Sequence, residues 1–484
     1  MDGGKVWLVG AGPDDPGLLT CRGREILDRA DAVVCDRLVG DGILALVPSG
    51  AEVIDVGKEG GRHPVPQREI EKLLVGLAQT GKNVVRLKGG DPFLFGRGGE
   101  EIEALLAEGI PYEVIPGVTS AFAAPAAAGI PVTHRGLANS LHVITAHTKE
   151  GGLADADYAA LARLGGTLLF LMGAAAVPEI CRALLSHGFS PNTPVAAVER
   201  GTTARQRRVE GTLGTFVDVA AREGLQSPAV IVVGETVRLG ARFDWKKWLP
   251  LSGRKVVVTR PRQRQSRLSE MLRDLGAEVV EFPCIATETL RVPLPSFEGC
   301  RWIGFTSAAG VESFFELLAE QRLDVRAIGS AKIAAIGPAT ADTLRSRGLA
   351  ADLVPKVYDG VHLAAELAER AQGGLIMLFR AQEGSPELTA ELNARGAHFQ
   401  ETALYRTVLE GHFFTPSHVD AVLFTSASTV RGFMKACPGL TSPLACCIGA
   451  QTAAEAAKAG FGNIRIAEKA TLEHLIKTLR DEEK

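Results

Sequence analysis

No stretch of this 484-residue chain approaches the ~20 consecutive apolar residues that a membrane-spanning helix needs. The N-terminus lacks a positive region followed by an uninterrupted apolar core, which argues against a signal peptide. The eight cysteines, Cys21, Cys35, Cys181, Cys284, Cys300, Cys437, Cys446 and Cys447, are scattered and form no CxxC pair. Zinc or dithiol chemistry is therefore not expected, no metal is called for, and reduced thiols in a cytoplasmic protein account for them. An excess of one charge is missing too. The net charge of −3 predicts no nucleic-acid partner, so an acidic substrate would need a local basic site. What is present is ordinary for globular protein, 46% hydrophobic and 23% charged. The length suggests about three folding units at roughly 150 residues each. The 54 glycines fit many short strand–loop–helix transitions.

The first half alternates short apolar strands with helical segments, the pattern of an α/β protein. Lys5–Val9 runs into Gly10 and the loop GAGPDDPG, and a helix follows from Leu18. That opening invites a dinucleotide reading. However, Asp15 stands where GxGxxG wants its third glycine, and Pro13 and Pro16 remove two amides that would cradle a pyrophosphate. A second strand ends at Asp36 and a third leads to Lys58. Alone, such polar residues are more often caps or solvated loop residues than catalysts. The strand VVRL then breaks into GGDPFLFGRGGEE, Gly89 to Glu101, where glycines demand sharp turns and close backbone approach. Pro92 cannot donate to a ladder, so the strand has ended. A crevice at that edge is where open α/β sheets bind ligands. Further on, Thr119 and Ser120 can cap a helix, and Ala121 to Ala128 are small enough for close helix–sheet packing. A second α/β unit follows from Ala138, with strands LHVITAH, GTLLFLMG, TPVAAVERG and SPAVIVVGE and helices between them.

A lone GGDP reads as a connecting loop, but the full run with FLFGRGGEE is far more specific. It resembles the signature of uroporphyrinogen-III C-methyltransferases, the S-adenosylmethionine enzymes of sirohaem and cobalamin synthesis. VGAGP, DRLV, VGK, THR and the turns at Met172–Gly173 and Glu199–Thr202 are similar to that family's motifs, in order, over about Lys5 to Val237. One departure is Asp14, where the family usually has glycine; aspartate tolerates the left-handed region better than most residues, so the turn is expected to survive. The resemblance implies a two-lobed methylase fold and S-adenosylmethionine held by Pro13, Gly89, Gly90, Asp91, Leu94, Thr119, Ser120, Met172 and Gly201. It also implies Asp36 as proton acceptor and Lys58 as proton donor, with Arg97 and Glu100 managing protons beside them. Arg135, with Arg97, would meet substrate carboxylates, since guanidinium binds them bidentately. His134 has no cysteine or carboxylate at metal spacing and reads as structural or as a hydrogen-bond donor. Homodimerisation through this half follows from the resemblance only.

Arg238 to Ser252 has neither alternation nor a helical face and reads as the junction. Beyond it lies a degenerate duplication. Val256–Pro283 is echoed by Ile376–Leu404, FTSAAGVESFF from Phe305 by FTSASTVRGFM from Phe424, and IAAIGPATA from Ile333 by CCIGAQTAA from Cys446. A repeat this long implies two similar α/β lobes rather than a solenoid. Its Thr-Ser and Gly-x-x-Thr turns place hydroxyls and amides at helix starts. Arg260, Arg262, Arg264 and Arg267 crowd one helix start, where cations have the wrong sign for the dipole and an acidic ligand would offset the misfit. This layout looks like uroporphyrinogen-III synthase, a two-lobed enzyme of flavodoxin-like α/β domains. The resemblance implies Tyr405 assisting departure of a hydroxyl, and Arg260, Ser307, Ser426 and Thr452 binding substrate carboxylates.

The expected organisation is a methyltransferase over 1–240 (lobes about 1–135 and 136–240), a linker over 241–253 and a synthase over 254–484. The implied reactions are closure of hydroxymethylbilane to uroporphyrinogen III and its methylation at C2 and C7 to precorrin-2. The competing reading is a methylase of a later corrin intermediate fused to a non-catalytic two-lobe binding module. The unbroken GGDPFLFGRGGEE run argues against its first half.

Overall fold

The structure, a computed structural model, describes residues 4–57, 65–146, 153, 156–261 and 266–480. The chain divides into two compact units, residues 1–284 with 411–484 and residues 285–410. The first strands are β1 (Lys5–Gly10), β2 (Ala32–Cys35), β3 (Glu52–Asp55), β4 (Asn83–Lys88) and β5 (Tyr112–Ile115). They form a parallel sheet in the order β3-β2-β4-β1-β5. Every residue of β2 is buried, as expected where helices cover both faces of a parallel sheet. Because all five strands run one way, the loops after them gather along a single edge.

A second, mixed sheet holds β6 (Leu141–Thr145), β7 (Thr167–Leu171), β8 (Pro194–Glu199), β9 (Arg207–Thr212) and β10 (Ala229–Val233), in the order β6-β7-β10-β8-β9. The sequence reading places only helix between the last two apolar strands; the structure adds β9 there, followed by the helix Phe216–Arg222. An edge strand reading RRVEGT carries no apolar alternation to announce it. β10 pairs antiparallel with both β7 and β8, so β7 and β8 end on the same side. The helix Ser120–Ala127 belongs to the first sheet by sequence. Its Ala121 and Ala124 nonetheless pack in one core with Leu169, Leu171, Ala196 and Val198 of the second. Small side chains permit that approach, and it brings the two edges together.

The strands β11 (Lys255–Val258) and β12 (Glu278–Glu281) follow. The second unit then holds β13 (Ile285–Thr289), β14 (Cys300–Phe305), β15 (Lys332–Ala335), β16 (Leu375–Ala381) and β17 (Phe399–Leu409), in the order β13-β17-β16-β14-β15. On return the chain adds β18 (Ala421–Phe424), β19 (Leu444–Cys447) and β20 (Ile464–Ile466) to the earlier pair, giving β12-β11-β18-β19-β20. The duplication seen in sequence is thus wired crosswise. The first repeat's opening strands β11 and β12 join the second repeat's closing strands β18 and β19. The first repeat's closing strands β14 and β15 join the second repeat's opening strands β16 and β17.

Within the first unit, the methylase-like part is packed on the β11–β12 sheet. Ala45 enters a core with Val257, Val280 and Phe282. Lys255 Nζ lies 2.6 Å from Asp41 and 3.1 Å from Glu278, and Glu278 accepts from the Ala204 amide at 2.7 Å. Asp14 faces this cluster from the loop after β1, with φ of 65°, so the turn survives the loss of glycine. Burial, then Glu278, pushes its carboxyl up to about 6; Lys255 opposes and Asp41 adds to the rise.

A carboxyl with a folded pKa raised above its ordinary 3.8 holds its proton better in the folded state. Stability is then fully present below about pH 4 and is lost as pH rises through about 6. Asp14→Asn, which removes the charge and still tolerates positive φ, should raise stability at pH 7.5 by at most about 3 kcal/mol. The gain should vanish near pH 4. Thermal midpoints across that range check it, and a gain independent of pH would contradict the charge argument.

Candidate active site

The loops after β1, β2, β4 and β5 carry Pro13, Asp36, Gly89 to Leu94, and Thr119 with Ser120, all on one edge of the first sheet. The backbones after β1 and β4 are bridged, Gly12 and Gly90 exchanging both amide bonds at 3.2 and 3.0 Å. The β5 loop closes on the same point. Asp91 Oδ2 accepts from the Gly117 amide at 3.0 Å, and its Oδ1 from the Phe93 amide at 2.8 Å. A Cβ on Gly117 would collide with the Gly90 carbonyl, which is why three chain segments can meet there. Thr119 caps the helix Ser120–Ala127 by accepting from the Ala121 amide. Gly90 itself has φ of +70°, and the space in front of its Cα is open, bounded by Ser120 N and Thr119 Cα at 3.9 Å from where a Cβ would sit.

The second sheet supplies the opposite wall. Met172 follows β7 and Gly201 follows β8, on the shared side. Met172 has φ of 57° and is 49% exposed, although a core position is the commoner fate of methionine. Gly201 lies against Ala124 closely enough that a Cβ would collide with it. Thr202 donates its hydroxyl to the Pro13 carbonyl, and Leu94 packs against the core containing Leu171. The nine residues expected to hold the methyl donor thus lie on loops that follow strands of these two sheets, with the Pro13 loop tied to Thr202 and Gly201 set against Ala124.

Asp36 sits at the end of β2, its side chain one-third exposed, and binds the Arg86 guanidinium at 2.5 Å. Lys58 lies outside the described residues. Arg97 takes φ of 58° and pairs with Glu100 at 2.6 Å, both exposed on the first turn of the helix Gly98–Ala107. Arg135 is exposed in a turn after His134, whose Nδ1 lies 2.9 Å from the Arg135 carbonyl.

Sequence reasoning overlooked the charged residues behind Asp36. Arg86 and Lys88 stand two apart on β4, hence on one face, and both meet Glu101 of the helix Gly98–Ala107. Lys88 Nζ reaches both Glu101 oxygens at 2.9 and 3.0 Å, and Arg86 Nε reaches one at 2.9 Å. Glu101 has no solvent exposure. Burial alone would lower the pKa of Arg86, but Asp36 and Glu101 raise it. Lys88 goes down, from burial and then Arg86. The available signal was a pair of charges at i and i+2 inside an otherwise apolar, doubly covered strand.

In the part after the junction, Arg260, Ser426 and Thr452 follow β11, β18 and β19, adjacent parallel strands, and so share one edge. Ser426 caps the helix Ala427–Ala436 in a capping box with Thr429. Thr452 is buried in the first turn of the helix Ala450–Lys458. Arg262 and Arg264 lie outside the described residues, and Arg267 stands 3.7 Å from Glu473. In the other unit, Ser307 caps the helix Ala308–Glu320 and its Oγ is 2.8 Å from the Tyr405 hydroxyl. The sequence placed those two residues 98 positions apart; β16 and β17 bring them together.

A family model for Tetrapyrrole (Corrin/Porphyrin) Methylases matches residues 5–217, and one for Uroporphyrinogen-III synthase HemD matches residues 266–477. A porphyrin biosynthesis protein HemD of Ruminiclostridium josui is 42% identical over 99% of this chain and 98% of its own. A uroporphyrinogen-III C-methyltransferase of Bacillus subtilis (strain 168) is 42% identical over 72% of each chain. A solved uroporphyrin-III C-methyl transferase from Thermus thermophilus, complexed with S-adenyl homocysteine, is 42% identical and covers 48% of this chain and 99% of that one, with a TM-score of 0.43.

The two ion-pair settings differ in consequence. Removing Glu101 (Glu101→Ala) leaves two buried cations short of their carboxylate and should cost about 3–5 kcal/mol. Removing the exposed partner in Arg97→Ala should cost at most about 1 kcal/mol. Thermal midpoints of the two variants, compared side by side, check this; equal losses would contradict it.

Proposed function

Because the chain belongs to the proteins in which a tetrapyrrole methylase is joined to a uroporphyrinogen-III synthase, we propose that it closes hydroxymethylbilane to uroporphyrinogen III and methylates that product at C2 and C7, giving precorrin-2. The methyl donor is S-adenosylmethionine, which when bound supplies an electrophilic methyl group on a neutral thioether leaving group. What supports the methylase assignment is that the loops carrying Pro13, Gly90 and Asp91 are bonded to one another and to the turns at Gly117 and Thr202, beside Thr119, Ser120 and Gly201. The space before Gly90 fits such a ligand, since its nearest neighbours are backbone atoms, the Ser120 amide nitrogen and the Thr119 Cα, rather than side chains.

The chain's own part in methyl transfer is positioning and proton traffic. The glycine-lined loops orient the donor. Methylation makes a substituted ring carbon quaternary and leaves the ring cationic. Asp36, at the crevice edge, accepts the compensating proton from a ring nitrogen or bridging methylene, and Lys58 returns one elsewhere, with Arg97 and Glu100 beside them. Arg135 and Arg97, both exposed, meet substrate carboxylates. In the synthase part, the Tyr405 phenol is held by Ser307 and assists departure of the hydroxyl. Ser307, Ser426, Thr452 and Arg260 bind carboxylates at the strand ends. The protein's task there is to hold the linear chain in the geometry that inverts the last ring. The residue boundaries proposed are 1–240 for the methylase, 241–253 for the linker and 254–484 for the synthase, in a cytoplasmic homodimer.

One incubation of the purified protein with hydroxymethylbilane, with and without S-adenosylmethionine, tests both halves. The expected products are isomer III without the donor and a doubly methylated product with it. Isomer I without the donor would leave the second half a binding module, and no methylation of ready-made uroporphyrinogen III would sink the first. For the named groups, Asp36→Asn should slow methyl transfer by about 10²–10⁴-fold. Tyr405→Phe should slow isomer III formation by at least about 10²-fold, and unchanged turnover would remove its acid role.

A further inference from the structure

The charged cluster behind the crevice carries an inference that rests on the role just given to Asp36. Arg86 commits every nitrogen of its guanidinium. Nε donates to Glu101 Oε1 at 2.9 Å, Nη1 to the carbonyls of Val34 and Leu87 at 3.3 and 3.4 Å, and Nη2 to Asp36 Oδ1 at 2.5 Å. A planar fork engaged on all sides has no freedom to turn. Its register adds to this, because Arg86 lies directly across from Val34, two residues before Asp36 on the neighbouring strand. Lys88 holds both Glu101 oxygens, and Gln67 donates to Glu101 at 3.3 Å, so the carboxylate that grips Arg86 is itself gripped. Three of the four charged side chains are 0–3% exposed, whereas Asp36 is 33% exposed. The cluster is closed on every side but one, and the open side is a carboxylate at the crevice edge.

We propose that Arg86 is a positioning residue for methyl transfer: it pins one oxygen of Asp36 and so fixes how the rest of that carboxylate meets the proton it removes, while Glu101 and Lys88 lock Arg86 in place. Burial of charge alone explains why the cations have partners. It does not require that the partner of Arg86 be a solvent-accessible acid at the crevice rim.

A double-mutant cycle on the full-length protein decides the matter. Asp36→Asn, Arg86→Lys and the double variant are assayed for single-turnover methylation of uroporphyrinogen III, for affinity toward S-adenosylhomocysteine and for thermal midpoint. Arg86→Lys keeps the charge but presents one nitrogen where four contacts are needed. It should slow methylation about tenfold, with S-adenosylhomocysteine affinity unchanged, and add nothing once Asp36 is Asn. Losses that multiply in the double variant would overturn the positioning role and leave Asp36 as the base. An equal loss of S-adenosylhomocysteine affinity would overturn it too, since the cluster would then be shaping the donor crevice. Full-rate Asp36→Asn would instead bring down the base assignment and the positioning role with it. Glu101→Gln run through the same cycle gives the same discrimination should Arg86→Lys not fold.

Discussion

A carboxylate with no access to water must be met by cations, and Glu101 is that carboxylate. Its partners Arg86 and Lys88 end β4, whereas Glu101 itself stands in the first turn of the following helix. The bonds therefore staple the two ends of the Gly89–Arg97 loop, and the loop between them has to project from the sheet edge. What the loop then does follows from that tie. Asp91 fastens it to the β5 loop through Gly117, Gly90 bridges it to the β1 loop, and Leu94 anchors its far end in the core of the second sheet. A crevice walled by backbone needs a rigid frame, because backbone loops have few side-chain contacts of their own to hold them. The frame here is electrostatic on one side and tightly packed alanine on the other.

The second half of the chain meets a different constraint. Each repeat supplies two parallel-strand segments, and neither repeat closes a sheet alone. The opening strands of one repeat pair with the closing strands of the other, so that in chain order residues 285–410 are inserted between β12 and β18. The same local solution appears in both sheets. A serine from a Phe-Thr-Ser strand end caps the next helix, Ser307 in one and Ser426 in the other. A buried threonine follows in the next helix, Thr340 and Thr452. Similar sequences make similar strand–helix turns, while the choice of neighbour is a long-range matter that local similarity does not encode.

That distinction also separates what was legible in the sequence from what was not. The strand ends, the glycine-rich turns and the caps at Thr119, Ser307 and Ser426 follow from local rules, and reading along the chain finds them. Positive φ at Asp14 was legible for the same reason. Strand β9 was not, because RRVEGT at a sheet edge shows neither a buried run nor alternation. The crosswise pairing was not, because both alternatives satisfy the same pattern. The Arg86–Lys88–Glu101 cluster was half legible. Two charges on one face of a buried strand demand a partner, but only the packed helix reveals which residue answers and that Asp36 shares the cation.

The loop after β1 shows how two requirements can fall on one short segment. Its backbone forms part of the crevice, with the Pro13 carbonyl taken by Thr202 and Gly12 paired to Gly90. Its next residue, Asp14, turns the other way, toward Lys255, Glu278 and Asp41 at the seam with the β11–β12 sheet. Glycine would satisfy the turn at no electrostatic cost, yet the chain carries an acid there whose ionisation is opposed by burial and by two neighbouring carboxylates. The seam is therefore not neutral to its protonation state. Charge at Asp14 strains a contact one residue removed from the crevice wall. Lys255, buried between Asp41 and Glu278 and held as a cation by both, relieves it. The packing of the β11–β12 sheet on the preceding part and the shape of the loop after β1 consequently depend on the same few charges. The β11–β12 pair, which follows the junction in sequence, thus packs against the part of the chain that carries the loop after β1.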